Sequence, residues 1–134
     1  ISRTDTDAVL IIGDNAMKVS ENGYVTLDLG QAWFEYTGLP FVYAIWVVKK
    51  GRCVPGINKL LKDAKEAGIR FVRELAATES HRLQLTEERC LNYLTNSIRY
   101  NLGKDEIEGL QAFYEHAVSL GLAPKGVEIV FNDT

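Results

Sequence analysis

Few side chains in this chain of 134 residues have obvious catalytic potential. Its two histidines, His81 and His116, have no second histidine or carboxylate at the spacing that a metal site or an acid–base pair requires. We interpret both as surface residues of helices. The sequence also lacks the motifs of phosphate-binding loops, dinucleotide sites, serine hydrolases and zinc proteases. Any chemistry must therefore rely on ordinary polar groups.

The carboxylates fall into two classes by their surroundings. Glu87–Glu88 and Asp105–Glu106 each lie in the first turn of a predicted helix, where negative charge interacts favourably with the helix dipole, so capping explains both pairs. Asp14 instead follows Gly13 at the end of an apolar run. That position is the edge of a parallel sheet at which α/β proteins bind their ligands. Capping of a following helix and ligand binding are both open for Asp14.

Composition narrows the classes of partner and cofactor. Lys and Arg number 15 against 18 Asp and Glu, a net charge of -3, and the basic residues are scattered, so nucleic acid is not an expected partner. Cys53 and Cys90 lack the spacing of zinc or redox motifs, which predicts reduced thiols and neither metal nor cofactor. No apolar run approaches about 20 residues and no leader begins at Ile1, so we expect a cytoplasmic protein outside the membrane.

Apolar patterning predicts the elements that position these groups. Strands are predicted at 8–12, 41–48 and 127–131, with a short extended piece at 25–27. Helices are predicted at 31–36, 57–77, from Thr86 onward and at 104–120. Gly68 interrupts the second of these, which is therefore either two helices or one with a close backbone contact. A dense aromatic group is interpreted as core: Trp33, Phe34, Tyr36, Phe41, Tyr43 and Trp46.

This order of elements predicts the α/β class, with few strands followed by three or more amphipathic helices. A sheet has on average about 5 to 6 strands, more than the sequence offers. The sheet is therefore expected to be unfinished, with its other strands upstream of Ile1 or in another chain.

Several motifs, taken in order, resemble one family. Residues 11–14 read Ile-Ile-Gly-Asp, 28–30 read Asp-Leu-Gly with Trp33 following, and 37–42 read Thr-Gly-Leu-Pro-Phe-Val before Ala44 and Trp46. Further matching positions follow downstream: Tyr93, Leu94, Ile98, Tyr100, Leu102, Glu106, Gly109, Leu110 and Phe113. Together they resemble the chorismate dehydratases of the futalosine route to menaquinone, from about residue 8 to 122.

The resemblance implies a type II periplasmic-binding-protein-like fold, in which two α/β lobes enclose the substrate. Members of this family are about twice as long as this chain, which resembles their C-terminal half. Residues 1–40 would be a remnant of the second lobe, with a strand and a short helix. Residues 41–134 would be the hinge strand and the helical C-terminal part of the first lobe. The expected protein partner is the missing N-terminal half or a second copy in a homodimer.

The resemblance also implies an activity, a hydro-lyase that converts chorismate to 3-[(1-carboxyvinyl)oxy]benzoate and water without a cofactor. Aromatisation of the ring drives this reaction, so the protein must mainly bind a dianion, orient it and assist proton transfer. We expect substrate-binding positions at Gly13, Asp14, Thr37, Gly38 and Phe41, through backbone donation, orientation and an apolar wall. The chain alone is expected to be inactive, and the catalytic residues are left unassigned.

Two alternatives share the expected fold. The 1,4-dihydroxy-6-naphthoate synthases resemble this chain, but they read Ile-Ile-His-Glu where it has Gly13, so their histidine base is missing here. A non-catalytic solute-binding protein is the other alternative, because a fold does not determine a function. Solute-binding proteins of this kind are usually exported, and the sequence does not predict export of this chain.

Overall fold

The structure, a computed structural model, describes residues 6–19, 23–49, 52, 54–128 and 130. More than half of these residues are helical. The helices are α1 (Asp14–Lys18), α2 (Leu29–Thr37), α3 (Ile57–Arg70), α4 (Val72–Leu83), α5 (Glu87–Asn92), a π-helical turn (Tyr93–Ser97) and α6 (Lys104–Ser119). None of the helices in the described ranges is long and apolar enough to cross a membrane.

The chain divides into two compact units. Unit 1 comprises residues 1–26 and 66–99, and unit 2 comprises residues 27–65 and 100–134. Each unit thus combines an N-terminal segment with a later helical one. The predicted assignment of 1–40 and 41–134 to two lobes of a longer fold stays a prediction.

Local capping signals determine where the helices begin and end. Asp28 Oδ1 accepts a hydrogen bond of 3.0 Å from the Gln31 N–H at the start of α2. The same helix ends at Gly38, whose φ of 73° lies in the left-handed region that favours glycine. Thr86 Oγ1 caps α5 through a backbone N–H at 3.2 Å. The predictions of α2, α5 and α6 are confirmed.

The acidic residues in the first turns also behave as predicted. Glu106 Oε2 accepts a hydrogen bond of 3.0 Å from the Gly103 N–H and so closes the start of α6. Glu87 and Glu88 occupy the first turn of α5. The capping interpretation is therefore confirmed by a hydrogen bond in α6 and by position in α5.

The helical pattern at 57–77 forms two helices. The chain leaves helical geometry at Phe71, with φ -100° and ψ 21°, between α3 and α4. Gly68 lies three residues earlier, and a methyl group added there would meet no atom within 4 Å. Of the two possibilities that Gly68 left open, the pair of helices is confirmed, and a close backbone contact at this glycine is not observed.

The segments predicted as strands are not paired in the structure. Residues 8–12, 25–27 and 41–48 form neither helix nor strand, and no strand occurs elsewhere in the described residues. Ile129 and residues 131–134 lie outside those residues. A strand needs backbone hydrogen-bond partners, whereas an apolar pattern reports only that a segment suits a sheet. The expected α/β class is therefore corrected: the described chain is α-helix-rich.

Unit 1 has a small core between α4 and α5. Ala76, Leu83 and Cys90 are buried there, with exposed fractions of 0%, 6% and 2%. Partly buried side chains pack against them: Met17, Leu85, Leu91 and Leu94. Because Met17 belongs to α1, this core also holds α1. The Cys90 thiol is buried in it, and Cys53 lies outside the described residues.

Unit 2 is held together by close packing around α6. Gly109 is buried on this helix beside Pro40, and a Cβ atom at Gly109 would collide with the Pro40 carbonyl oxygen. Farther along α6, the Tyr114 hydroxyl donates to the Pro124 carbonyl at 2.7 Å and accepts from the Val127 N–H at 2.9 Å. Through these contacts α6 packs against the segment at Pro40, which precedes it, and binds the segment 124–127, which follows it.

Candidate functional site

Gly13 and Asp14 lie at the start of α1 in unit 1. Gly13 has a φ of 62°, in the left-handed region that favours glycine, and its carbonyl accepts a hydrogen bond of 2.9 Å from the Ala16 N–H. Asp14 is the first residue of the helix, and no side chain caps it. Of the two interpretations left open for Asp14, capping by its carboxylate is therefore not observed. Ligand binding by this residue stays a prediction.

The Asp14 carboxylate forms an ion pair that the sequence did not predict. Arg82 Nη2 donates to Asp14 Oδ2 at 2.9 Å, and Arg82 Nε donates to Glu79 Oε2 at 2.6 Å. The hydrogen bond to Glu79 and, second to it, the hydrogen bond to Asp14 raise the pKa of the Arg82 guanidinium. The pair is about half exposed, and such pairs add little to stability. The pair places the Arg82 guanidinium within hydrogen-bond distance of one oxygen of the carboxylate.

Thr37 and Gly38 form the C-terminal end of α2 in unit 2. The Thr37 hydroxyl donates to the Trp33 carbonyl at 2.8 Å and accepts from the Leu39 N–H at 3.1 Å. The Gly38 N–H donates to the Phe34 carbonyl at 2.7 Å. These polar groups already terminate the helix, and substrate contact at either residue stays a prediction.

Phe41 belongs to an aromatic cluster in unit 2. Its ring lies edge-on to those of Phe113 and Trp33, with centroids 5.1 and 6.1 Å away, and Trp33 lies 5.5 Å from Phe113. Such contacts add about 0.5–1.5 kcal/mol each beyond burial. Trp33 and Phe41 are only partly buried in this cluster, so the interpretation as core holds for them in part. It is wrong for four more exposed aromatic side chains: Phe34, Tyr36, Tyr43 and Trp46.

An open groove of about 410 Å³ lies beside this cluster and was not predicted. The His116 ring stands perpendicular to Trp33 at 5.9 Å, and the Trp33 Nε1 atom is buried with no hydrogen-bond partner among the described residues. The i, i+3 spacing of Phe113 and His116 was the signal available in the sequence. The groove is lined by Trp33, Tyr36, Phe113, His116, Ala117, Ser119, Leu120 and Leu122.

The predicted substrate positions do not line this groove. Gly13 and Asp14 belong to unit 1, whereas Thr37, Gly38 and Phe41 lie close together in sequence and belong to unit 2. Over the part of the chain that the structure describes, no group of three His, Cys, Asp or Glu side chains is arranged to hold a metal ion. Of the predicted substrate positions, unit 1 therefore holds the Gly13 backbone and the Asp14 carboxylate.

Comparison with known proteins identifies the class to which the chain belongs. The family model described as menaquinone biosynthesis matches residues 1–119. The chain therefore belongs to this menaquinone biosynthesis family.

Within that class, the chain is similar to the chorismate dehydratase of Thermus thermophilus. The two are 34% identical over 136 residues, which cover 88% of this chain and 49% of that enzyme. The chain thus spans about half the length of this curated relative. No solved structure matches the chain significantly. The resemblance to chorismate dehydratases that the motifs indicated is confirmed.

Proposed function

We propose that this chain is the C-terminal half of a chorismate dehydratase acting in menaquinone biosynthesis. The observation that carries the proposal is the 34% identity to an enzyme of that name across 88% of the chain. The match to the menaquinone biosynthesis family over residues 1–119 supports the same pathway. The reaction would be hydro-lyase chemistry, in which chorismate loses water to give 3-[(1-carboxyvinyl)oxy]benzoate.

For the longer protein, we propose the two-lobed type II periplasmic-binding-protein-like fold. The segment 41–48 exposes apolar side chains that a sheet would bury: Trp46 is 83% and Val47 78% exposed. Burying one such side chain contributes about 1.5–3 kcal/mol, so a partner for this segment is strongly favoured. The half of the relative's length that this chain does not span would supply it, with a second copy of the chain as the alternative.

Five positions are proposed to bind the substrate: Gly13, Asp14, Thr37, Gly38 and Phe41. The Gly13 backbone would donate to a carboxylate, Asp14 would orient the ring through its hydroxyl, and Phe41 would supply an apolar wall. Because aromatisation drives loss of water, correct placement of the substrate accounts for much of the catalysis. A side chain that accepts the ring proton is not assigned.

The alternatives are weaker on the same observations. A 1,4-dihydroxy-6-naphthoate synthase would carry a histidine where this chain has Gly13. A solute-binding protein of the same fold would bind without turnover, and the similarity to a named dehydratase argues against it. The cytoplasmic location expected from the sequence stays a prediction.

Native mass spectrometry with chorismate tests the proposed substrate. The protein translated from the complete reading frame is expected to gain the mass of chorismate or of its dehydrated product, whereas the chain of 134 residues alone gains neither. The aromatic acid 4-hydroxybenzoate is the matched control ligand, because it carries only one carboxylate. A protein that binds both acids equally, or neither, would contradict the proposed substrate.

A further inference from the structure

The Asp14 carboxylate is engaged on one oxygen only. Arg82 Nη2 lies 2.9 Å from Asp14 Oδ2. The other oxygen, Oδ1, accepts no hydrogen bond from any residue that the structure describes. Arg82 thus engages one carboxylate oxygen, and the other can still accept a hydrogen bond from a different partner.

Arg82 also contacts a second carboxylate, that of Glu79. Its Nε and Nη2 atoms both lie 2.6 Å from Glu79 Oε2, one helical turn earlier on α4. Its neighbour Leu83 is buried in the unit 1 core. The guanidinium is therefore anchored to a packed helix before it reaches Asp14, which lowers the entropy that the ion pair must lose.

The same core holds the helix that carries Asp14. Met17 of α1 packs against the cluster of Ala76, Leu83 and Cys90. Asp14 is thus attached to α4 through an apolar contact at Met17 and an ionic contact at Arg82. Two attachments on one short helix restrict the carboxylate more than either does alone.

We propose that Arg82 is a positioning residue for the dehydration, acting through Asp14; this inference rests on the proposed function. The substrate is a dianion, and an unpaired carboxylate beside it would be repelled. Arg82 neutralises Asp14 and holds Oδ2, so that Oδ1 can orient the bound substrate by accepting a hydrogen bond from the ring hydroxyl of chorismate; the proton with which this hydroxyl leaves as water comes from a donor other than Asp14. Glu79 fixes Arg82 in this position.

A double-mutant cycle in the complete protein tests this role, with kcat/KM for chorismate as the readout. Arg82→Gln and Asp14→Asn are each expected to lower kcat/KM by about tenfold or more, and the double variant is expected to be no worse than Asp14→Asn. Arg82→Lys keeps the charge and should recover about a third of the activity. Arg73→Gln, an exposed arginine of α4 without an ion pair in the described residues, is the matched control and should stay within about twofold.

The melting temperature separates positioning from folding. Because the ion pair is about half exposed, Arg82→Gln should melt within about 2 °C of the parent protein. The inference would be overturned if the losses in kcat/KM of Arg82→Gln and Asp14→Asn multiplied in the double variant, or if Arg82→Gln turned over chorismate as fast as the parent. Either result would leave the proposed function intact. Absence of turnover in the parent protein would instead overturn the proposed function and the inference together.

Discussion

Replacing Gly109 by alanine is expected to lower the free energy of unfolding by about 2–3 kcal/mol. The added Cβ would collide with the Pro40 carbonyl oxygen and lie 3.6 Å from Leu39 Cβ. The obstacle is a backbone atom, so the segment at Pro40 must move as a whole, and the aromatic cluster at Phe41 would move with it. Urea unfolding followed by circular dichroism measures the change.

Gly68→Ala is the matched control for this prediction. Gly68 also lies within a helix, α3, but a Cβ atom there meets nothing within 4 Å. Alanine at this position should therefore raise the free energy of unfolding by about 0.5–1 kcal/mol through its greater helix propensity. Equal effects of the two substitutions would show that α6 does not pack against Pro40 in solution.

Leu83→Ala is expected to destabilise unit 1 by about 2–4 kcal/mol. Leu83 is 6% exposed and is the largest of the three buried apolar residues in the described chain. Its removal would leave a cavity beside Ala76 and Cys90, because so small a core has few neighbours that can move in to fill it. Hydrogen exchange should then accelerate most at the amides of α4 and α5.

Leu60→Ala provides the comparison, since Leu60 on α3 is 63% exposed. The same chemical change there should alter the free energy of unfolding by less than about 0.5 kcal/mol. If Leu60→Ala costs as much as Leu83→Ala, then Leu60 is buried in solution by a surface that this chain does not itself provide.

The helices could be predicted from the sequence because their signals are local. Asp28 and Thr86 each precede a helix, and each side chain accepts a hydrogen bond from the backbone N–H three residues later. The predicted strands at 8–12 and 41–48 depend on partners elsewhere, and the same apolar pattern is compatible with a paired or an unpaired segment. The pattern therefore predicted which segments suit a sheet, and it could not predict that no strand would form within the described residues.

The candidate site shows the same division. The position of Asp14 directly after an apolar run indicated it as a candidate site residue. Its partner Arg82 lies 68 residues away in the sequence, so no local pattern could indicate the pair. The spacing of Glu79 and Arg82 on one helix could have predicted their mutual contact. That α4 brings Arg82 to Asp14 depends on the packing of Met17 against the unit 1 core, which no local motif specifies.

The most direct test of the proposed function is turnover of chorismate by the protein translated from the complete reading frame. Liquid chromatography with mass spectrometry would follow the substrate and any product lighter by one water. We expect steady conversion to 3-[(1-carboxyvinyl)oxy]benzoate, and no conversion by the chain of 134 residues alone. Chorismate recovered unchanged from folded, ligand-bound protein would contradict the proposed function and would favour a solute-binding role.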